Sequence, residues 1–174
     1  GEIKAMIGGR GSHGSGLFNR ALNPRQPGSS IKPLAVYGAA LQKSYDYLQK
    51  DEKYQYTDYN NDTQGTKYYG DYMTAGSTIV DEPLTFEGRT WPSNSYGGYK
   101  GRISMRRAMQ LSSNVCAVKI WLQVGSEYSA NLVEKFGITT LNREGDNNDE
   151  NAAALALGGL SSGVKTIEMA QAYA

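Results

Sequence analysis

The chain is short of the residues on which several kinds of chemistry depend. Among 174 residues there is one cysteine, Cys116, and one histidine, His13. A single thiol excludes an internal disulfide. One His and one Cys, far apart, assemble neither a zinc site nor a Cys-His dyad, so no metal and no cofactor is expected. Cys116 lies between apolar residues and reads as a small core side chain. His13, in the Gly/Ser-rich stretch from Arg10 to Gly16, reads as a solvated one. Charge of one sign is lacking as well: 18 basic against 17 acidic side chains leave a net charge of +1, which gives no field to attract nucleic acid or an anionic membrane surface. There is no run of about 18 apolar residues and no signal-peptide pattern, so no membrane-spanning helix is written in these residues. The 13 tyrosines and 21 glycines point to a loop-rich chain with many ring contacts, long enough to bury the core of one domain.

The informative stretch is Pro27-Gly28-Ser29-Ser30-Ile31-Lys32-Pro33, followed by the apolar run from Leu34 to Leu41. Proline lacks an N–H and clashes with the preceding turn, so Pro33 sets a helix start within residues 29–32, and the helix is expected to reach about Leu48. Ser29 then stands at a helix N-terminus, and Lys32, one turn on, brings its amine toward the Ser29 hydroxyl. The apolar surroundings argue that this lysine is buried. Burial lowers its pKa, and a neutral amine can take a proton from serine, which makes a nucleophile without histidine. Ser-x-x-Lys alone is common by chance.

A second constellation is Ser112-Ser113-Asn114, in the segment Leu111–Val118. Residues two apart point different ways on a continuous helix, so a helix end or loop is expected to aim Ser112 and Asn114 at one cleft. There a hydroxyl can pass a proton between lysine and a leaving amine, and an amide can hold a substrate carbonyl or orient the lysine. Most such triplets are helix caps or turns.

The rest of the chain supplies a frame. Glu2 to Ile7 alternates polar and apolar residues as a half-buried strand does, beginning as though just after a hairpin turn, so its partner strand is expected outside these residues. Residues 50–70 read as an exposed irregular excursion, whose Asp51, Glu52, Asp58 and Asp62 cancel the field of its lysines. Ser77–Asp81 and Leu84–Phe86 read as short strands. Ser104 is placed as the N-cap of a helix through Gln110. Further helices are expected over Val115–Val124, stopped by Gly125, and Ala130–Phe136, closed by Gly137. Residues 142–151 read as an acidic loop whose spacing fails that of a calcium loop, and Ala152–Leu157 as a small apolar segment turned by Gly158-Gly159. In Lys165-Thr166-Ile167, Thr166 reads as the N-cap of a helix over Ile167–Tyr173, with Glu168 beside it.

Phe18-Asn19-Arg20-Ala21 and the Pro27–Pro33 segment resemble the active-site region of penicillin-binding protein transpeptidase domains, especially of the class A, bifunctional kind. So do Trp91-Pro92-Ser93-Asn94, Gly101–Met109, Ser112-Ser113-Asn114, Ala156-Leu157-Gly158-Gly159, Gly163-Val164 and Glu168–Ala174, in the family's order. The resemblance implies an α+β fold, an antiparallel sheet sandwiched between helices (α-β-α), of which residues 1–174 supply mainly the helical part with one N-terminal sheet strand. It implies an upstream anchor and glycosyltransferase domain and downstream strands bearing Lys-Thr-Gly, all outside these residues; Lys165-Thr166-Ile167 is then a coincidence. With the second oxyanion donor on those strands, the segment alone is expected to be inactive.

The activity implied is that of a D,D-transpeptidase cross-linking peptidoglycan on the extracytoplasmic face of the bacterial membrane. Ser29 is the nucleophile, Lys32 its base, Ser112 the proton donor to the leaving amine, and Asn114 the holder of the substrate amide. The partners implied are a stem peptide ending D-Ala-D-Ala and β-lactams, which would acylate Ser29, with no nucleic acid and with membrane contact only through the anchor. A β-lactamase or D,D-carboxypeptidase, and a non-catalytic β-lactam-sensing module, are the competing readings.

Overall fold

The helix that begins at the Ser-x-x-Lys segment is apolar on nearly every face from Leu34 to Ala40, and a stretch of that kind must be surrounded. In the computed structural model, which describes residues 2–11, 14, 18–54, 56–57 and 68–174, it stands at the centre. After a short strand β1 (Pro24–Arg25), Gly28–Ile31 makes a 3-10 turn, Pro33–Gly38 a π-helical segment, and Ala39–Gln49 the helix α1. Ile31, Leu34, Ala35, Val36, Tyr37, Ala39 and Ala40 are all buried. Pro33 brings no N–H to the first turn. A Cβ on Gly38 would stand 2.7 Å from the Pro33 carbonyl oxygen, so glycine permits that turn to close.

The remaining elements wrap this axis. Strand β2 (Tyr56–Thr57) pairs with β3 (Tyr68–Gly70), β4 (Thr78–Asp81) with β7 (Gly101–Ser104), and β5 (Thr85–Phe86) with β6 (Arg89–Thr90), each pair antiparallel. Helix α2 (Met105–Gln110) opens with Ser104 Oγ accepting from Arg107 N at 3.1 Å, the expected N-cap. Helix α3 (Asn114–Val124) is buried from Val115 to Trp121 and ends at Gly125, whose φ of 89° suits glycine. Helix α4 (Ser126–Lys135) donates a buried hydrogen bond from Ser129 Oγ to the Ala35 carbonyl at 2.6 Å, tying it to the π-helical segment. A second π-helical segment (Ala152–Ala156), strand β8 (Val164–Lys165), antiparallel to β1, and helix α5 (Thr166–Ala172) complete the described chain. The class is α+β, as expected.

Four readings need correction. Glu2–Ile7 pairs with no strand among the described residues and is exposed, so the N-terminal sheet strand is not formed there. Alternation reports which side is apolar, whereas a strand also needs a neighbour. Residues 50–70 are not wholly an excursion: β2 and β3 form a ladder, and Tyr56 is buried in the core, because a tyrosine ring carries enough apolar area to order a polar segment. Helix α4 begins four residues earlier than Ala130, directly after Gly125. Thr166 is the first residue of α5, with Lys165 at the cap position; the Thr166 hydroxyl donates to the Arg20 carbonyl at 3.3 Å instead of capping. His13 lies outside the described residues.

Candidate active site

Lys32 sits at the seam between the 3-10 turn and the π-helical segment, 2 % exposed. An ammonium so placed is held only if oxygens replace its water. Its Nζ donates to Asn114 Oδ1 at 2.6 Å and to the Ser112 carbonyl oxygen at 2.8 Å, and lies 3.2 Å from Ser112 Oγ. Burial lowers its pKa from 10.5 to about 8, against a smaller raising influence of the Cys116 side chain. Thus three of the four candidate residues, separated by about eighty positions, converge on one nitrogen.

The convergence depends on an unusual turn. Helix α2 ends, Ser113 N donates to the Ala108 carbonyl, and Ser112 takes a left-handed conformation, φ 53°, before α3 begins at Asn114. For a residue with a Cβ that conformation costs about 1–2 kcal/mol. Strain of this sort persists where surrounding contacts impose it, commonly at functional sites.

Ser29 lies one turn before Lys32, whose N–H donates to the Ser29 carbonyl. Its side chain is exposed and has no hydrogen-bond partner among the described residues. The expected approach of the lysine amine to this hydroxyl is therefore not a hydrogen bond here; the amine reaches instead across to the Ser112–Asn114 loop. Behind Ser29, Gly28 N donates to the Gly158 carbonyl at 3.3 Å. A Cβ on Gly158, whose φ is 81°, would lie 2.1 Å from the Gly28 carbonyl oxygen. The Ala156–Gly159 turn can press against the serine-bearing turn only because residue 158 has no side chain.

A second polar cluster, to which the sequence reading assigned no role, lies under the loop. Asp81, at the end of β4, is fully buried. Its Oδ1 accepts from Asn94 Nδ2 at 2.8 Å and from Ser113 Oγ at 3.3 Å; its Oδ2 accepts from Lys100 N at 2.9 Å and Tyr96 OH at 2.5 Å. Asn94 Oδ1 accepts from Asn114 N at 2.9 Å, Val115 N at 3.2 Å and Ser113 Oγ at 3.1 Å. Ser113 Oγ also accepts from Cys116 N at 3.1 Å, the usual N-cap bond. The signals available were Asn94 within Trp91-Pro92-Ser93-Asn94 and an acidic residue ending an apolar strand. Lys165, by contrast, forms an ion pair with Glu168 at 2.9 Å. Among the described residues no group of three or more His, Cys, Asp or Glu is placed to hold a metal ion.

Residues 72–174 match the family model described as the penicillin-binding protein transpeptidase domain. The chain belongs to that family. Penicillin-binding protein 1A of Clostridium tetani is 34% identical over 186 residues, covering 99% of this chain and 20% of that protein. The crystal structure of penicillin-binding protein 1A from Haemophilus influenzae is similar with a TM-score of 0.61 and 29% identity, over 90% of this chain and 18% of that one. Penicillin-binding protein A of M. tuberculosis, solved as a ceftriaxone acyl-enzyme complex, shares the fold with a TM-score of 0.62 at 19% identity, over 91% of this chain and 33% of that one. The chain thus spans about a fifth of the length of the curated penicillin-binding proteins it matches. The family-model match contains Ser112 and Asn114 and begins after Ser29 and Lys32; the C. tetani likeness runs across nearly the whole chain. Among the described residues no helix is long and apolar enough to cross a membrane.

Proposed function

We propose that these residues carry the acylation machinery of a peptidoglycan D,D-transpeptidase with Ser29 as nucleophile, as part of a longer protein acting on the outer face of the bacterial cell membrane. The observation that carries this reading is the hydrogen-bonding of Lys32. A neutral amine has two N–H donors and one lone pair. In that form the Ser112 carbonyl and Asn114 Oδ1 engage the two donors, and the lone pair faces the Ser112 hydroxyl, 3.2 Å away, through which a proton can reach or leave the amine.

In the proposed cycle Ser29 Oγ attacks the carbonyl carbon of the penultimate D-alanine as its proton passes to Lys32. The tetrahedral oxyanion forms at a helix N-terminus, where the Ser29 N–H is one donor. As the C–N bond breaks, a proton moves from Lys32 through Ser112 Oγ, 3.2 Å away, to the departing D-alanine amine. The ester left on Ser29 is attacked by the amine of a second stem peptide. The protons return by the same route, a new amide forms and the Ser29 hydroxyl is restored. A β-lactam, whose ring amide stands in for the D-Ala-D-Ala bond, acylates the same oxygen. The acyl-enzyme of the M. tuberculosis neighbour is consistent with that reaction on this fold.

The test is product analysis with the full-length protein and a D-Ala-D-Ala stem peptide, with and without a second peptide carrying a free amine. D-Alanine release with a cross-linked product that depends on the amine is expected. Release to water alone would make the protein a carboxypeptidase, and rapid turnover of penicillin would make it a β-lactamase.

A further inference from the structure

Asn114 is held at more points than a helix N-terminus requires. Its backbone N–H is bound by Asn94 Oδ1, and its side-chain Nδ2 donates to the Ser93 carbonyl at 2.8 Å. Oδ1 is thereby turned toward Lys32. The Asn94 amide has only one workable orientation. Two backbone N–H groups face one of its atoms, which must be the oxygen, and its Nδ2 points at Asp81 Oδ1 and at the Gly98 carbonyl, 3.2 Å away. Asp81 Oδ2 in turn accepts from Tyr96 OH and Lys100 N, and its Oδ1 accepts from Asn94 Nδ2 and shares the single Ser113 hydroxyl proton with Asn94 Oδ1. A buried network of this kind has one low-energy arrangement when every member is satisfied.

We propose that Asp81 and Asn94 are positioning residues of the acylation reaction, a buried carboxyl–amide pair that sets where Ser112 and Asn114 stand relative to Lys32. The proposal rests on the reading of Ser29 and Lys32 given above. It follows from direction. Strand β4 places Asp81, Asp81 orients Asn94, and Asn94 holds the first N–H groups of α3; the helix therefore begins at the residue whose side chain meets Lys32. Ser113, between the two functional residues, bonds both members of the pair and so transmits their position to Ser112 on its other side.

The polarity of the pair supplies its own test. Asn94→Asp removes the donor that faces Asp81 and sets two carboxyl oxygens against each other. Asp81→Asn puts an amide N–H either against Asn94 Nδ2 or against Tyr96 OH and Lys100 N. The exchange variant carrying both changes restores the bond in reverse, residue 81 donating and residue 94 accepting from it and from α3, but leaves the Gly98 carbonyl without its donor, so its recovery stops short of wild type. In the full-length protein, the penicillin acylation rate of each single variant, per folded molecule, is expected to fall about 100-fold, the usual consequence of misplacing a reacting group by about 1 Å. The exchange variant is expected to recover to within about tenfold of wild type.

The pH profile separates positioning from mere support. Lys32 Nζ is faced by Ser112 and Asn114, and Cys116 is the titratable neighbour whose charge acts on it. If Asn114 Oδ1 turns away, the ammonium loses an acceptor, and the rise of rate with pH moves to lower pH by about one unit. Loss of stability alone lowers the folded fraction and leaves the rate per folded molecule, and its pH profile, unchanged. Single variants that acylate at the wild-type rate with an unmoved profile would overturn the proposal, as would a folded exchange variant as slow as the singles. If the singles do not fold, Tyr96→Phe, which removes one donor from Asp81, decides: a several-fold slower acylation supports the proposal and an unchanged rate contradicts it. Absence of acylation in the wild-type protein would be failure of the Ser29 reading instead.

Discussion

Lys32 shows how one side chain can be costly to the fold and still belong to it. Its folded-state pKa, about 8, lies below the 10.5 of the free side chain because burial removes water from the ammonium. Between those values the unfolded chain binds more protons than the folded one, so stability must rise with pH from 8 toward 10.5. Above about pH 10 the tyrosines oppose this, since burial holds the Tyr37 and Tyr54 phenols well above their usual range and the unfolded chain ionises first. In chemical denaturation the unfolding free energy of the wild type is expected to increase by about 2 kcal/mol from pH 7 to pH 9.5 relative to Lys32→Met. Equal slopes in the two proteins would show that Lys32 is not buried as a titrating amine.

Among the elements, the serine-bearing turn and the Ala156–Gly159 turn are interdependent. With φ at 81° and the Gly28 backbone filling the space of a side chain, Gly158→Ala must displace one turn from the other. A loss of about 2–4 kcal/mol is expected from the left-handed conformation and the backbone shift together. Penicillin acylation should be slowed more than the lost folded fraction explains. Thermal melting within a degree of wild type would show that the two turns do not press together. The sequence made the helical elements legible where punctuation was local: Pro33, Ser104, Gly125 and Gly137 each marked an end by its own backbone chemistry. It did not show the β2–β3 ladder, whose buried Tyr56 depends on a core formed by distant residues. Ser112 and Asn114 were legible as a pair needing a helix break. Asp81 and Asn94 were not, because their meaning lies in contacts between a strand, a loop and a helix start.

At the scale of the molecule, the buried core centres on the π-helical segment, α1, α3 and α4, and it delivers Lys32 from one side and Ser112 and Asn114 from the other. Parts of the surface remain apolar: Ile3 and Ile7 near the start, and Leu41, Tyr45 and Leu48 along α1, are more than two-fifths exposed. Membership of the transpeptidase family rests on the match over residues 72–174, while the proposed chemistry rests on one oxygen outside it, Ser29 Oγ. The most direct measurement is the intact mass of the full-length protein after incubation with benzylpenicillin, followed by peptide mapping, with Ser29→Ala in parallel. A single adduct of the drug's mass on the peptide containing Ser29, absent from the variant, is the result predicted here. An adduct that persists in a folded Ser29→Ala protein, or none on the folded wild type, would contradict the account.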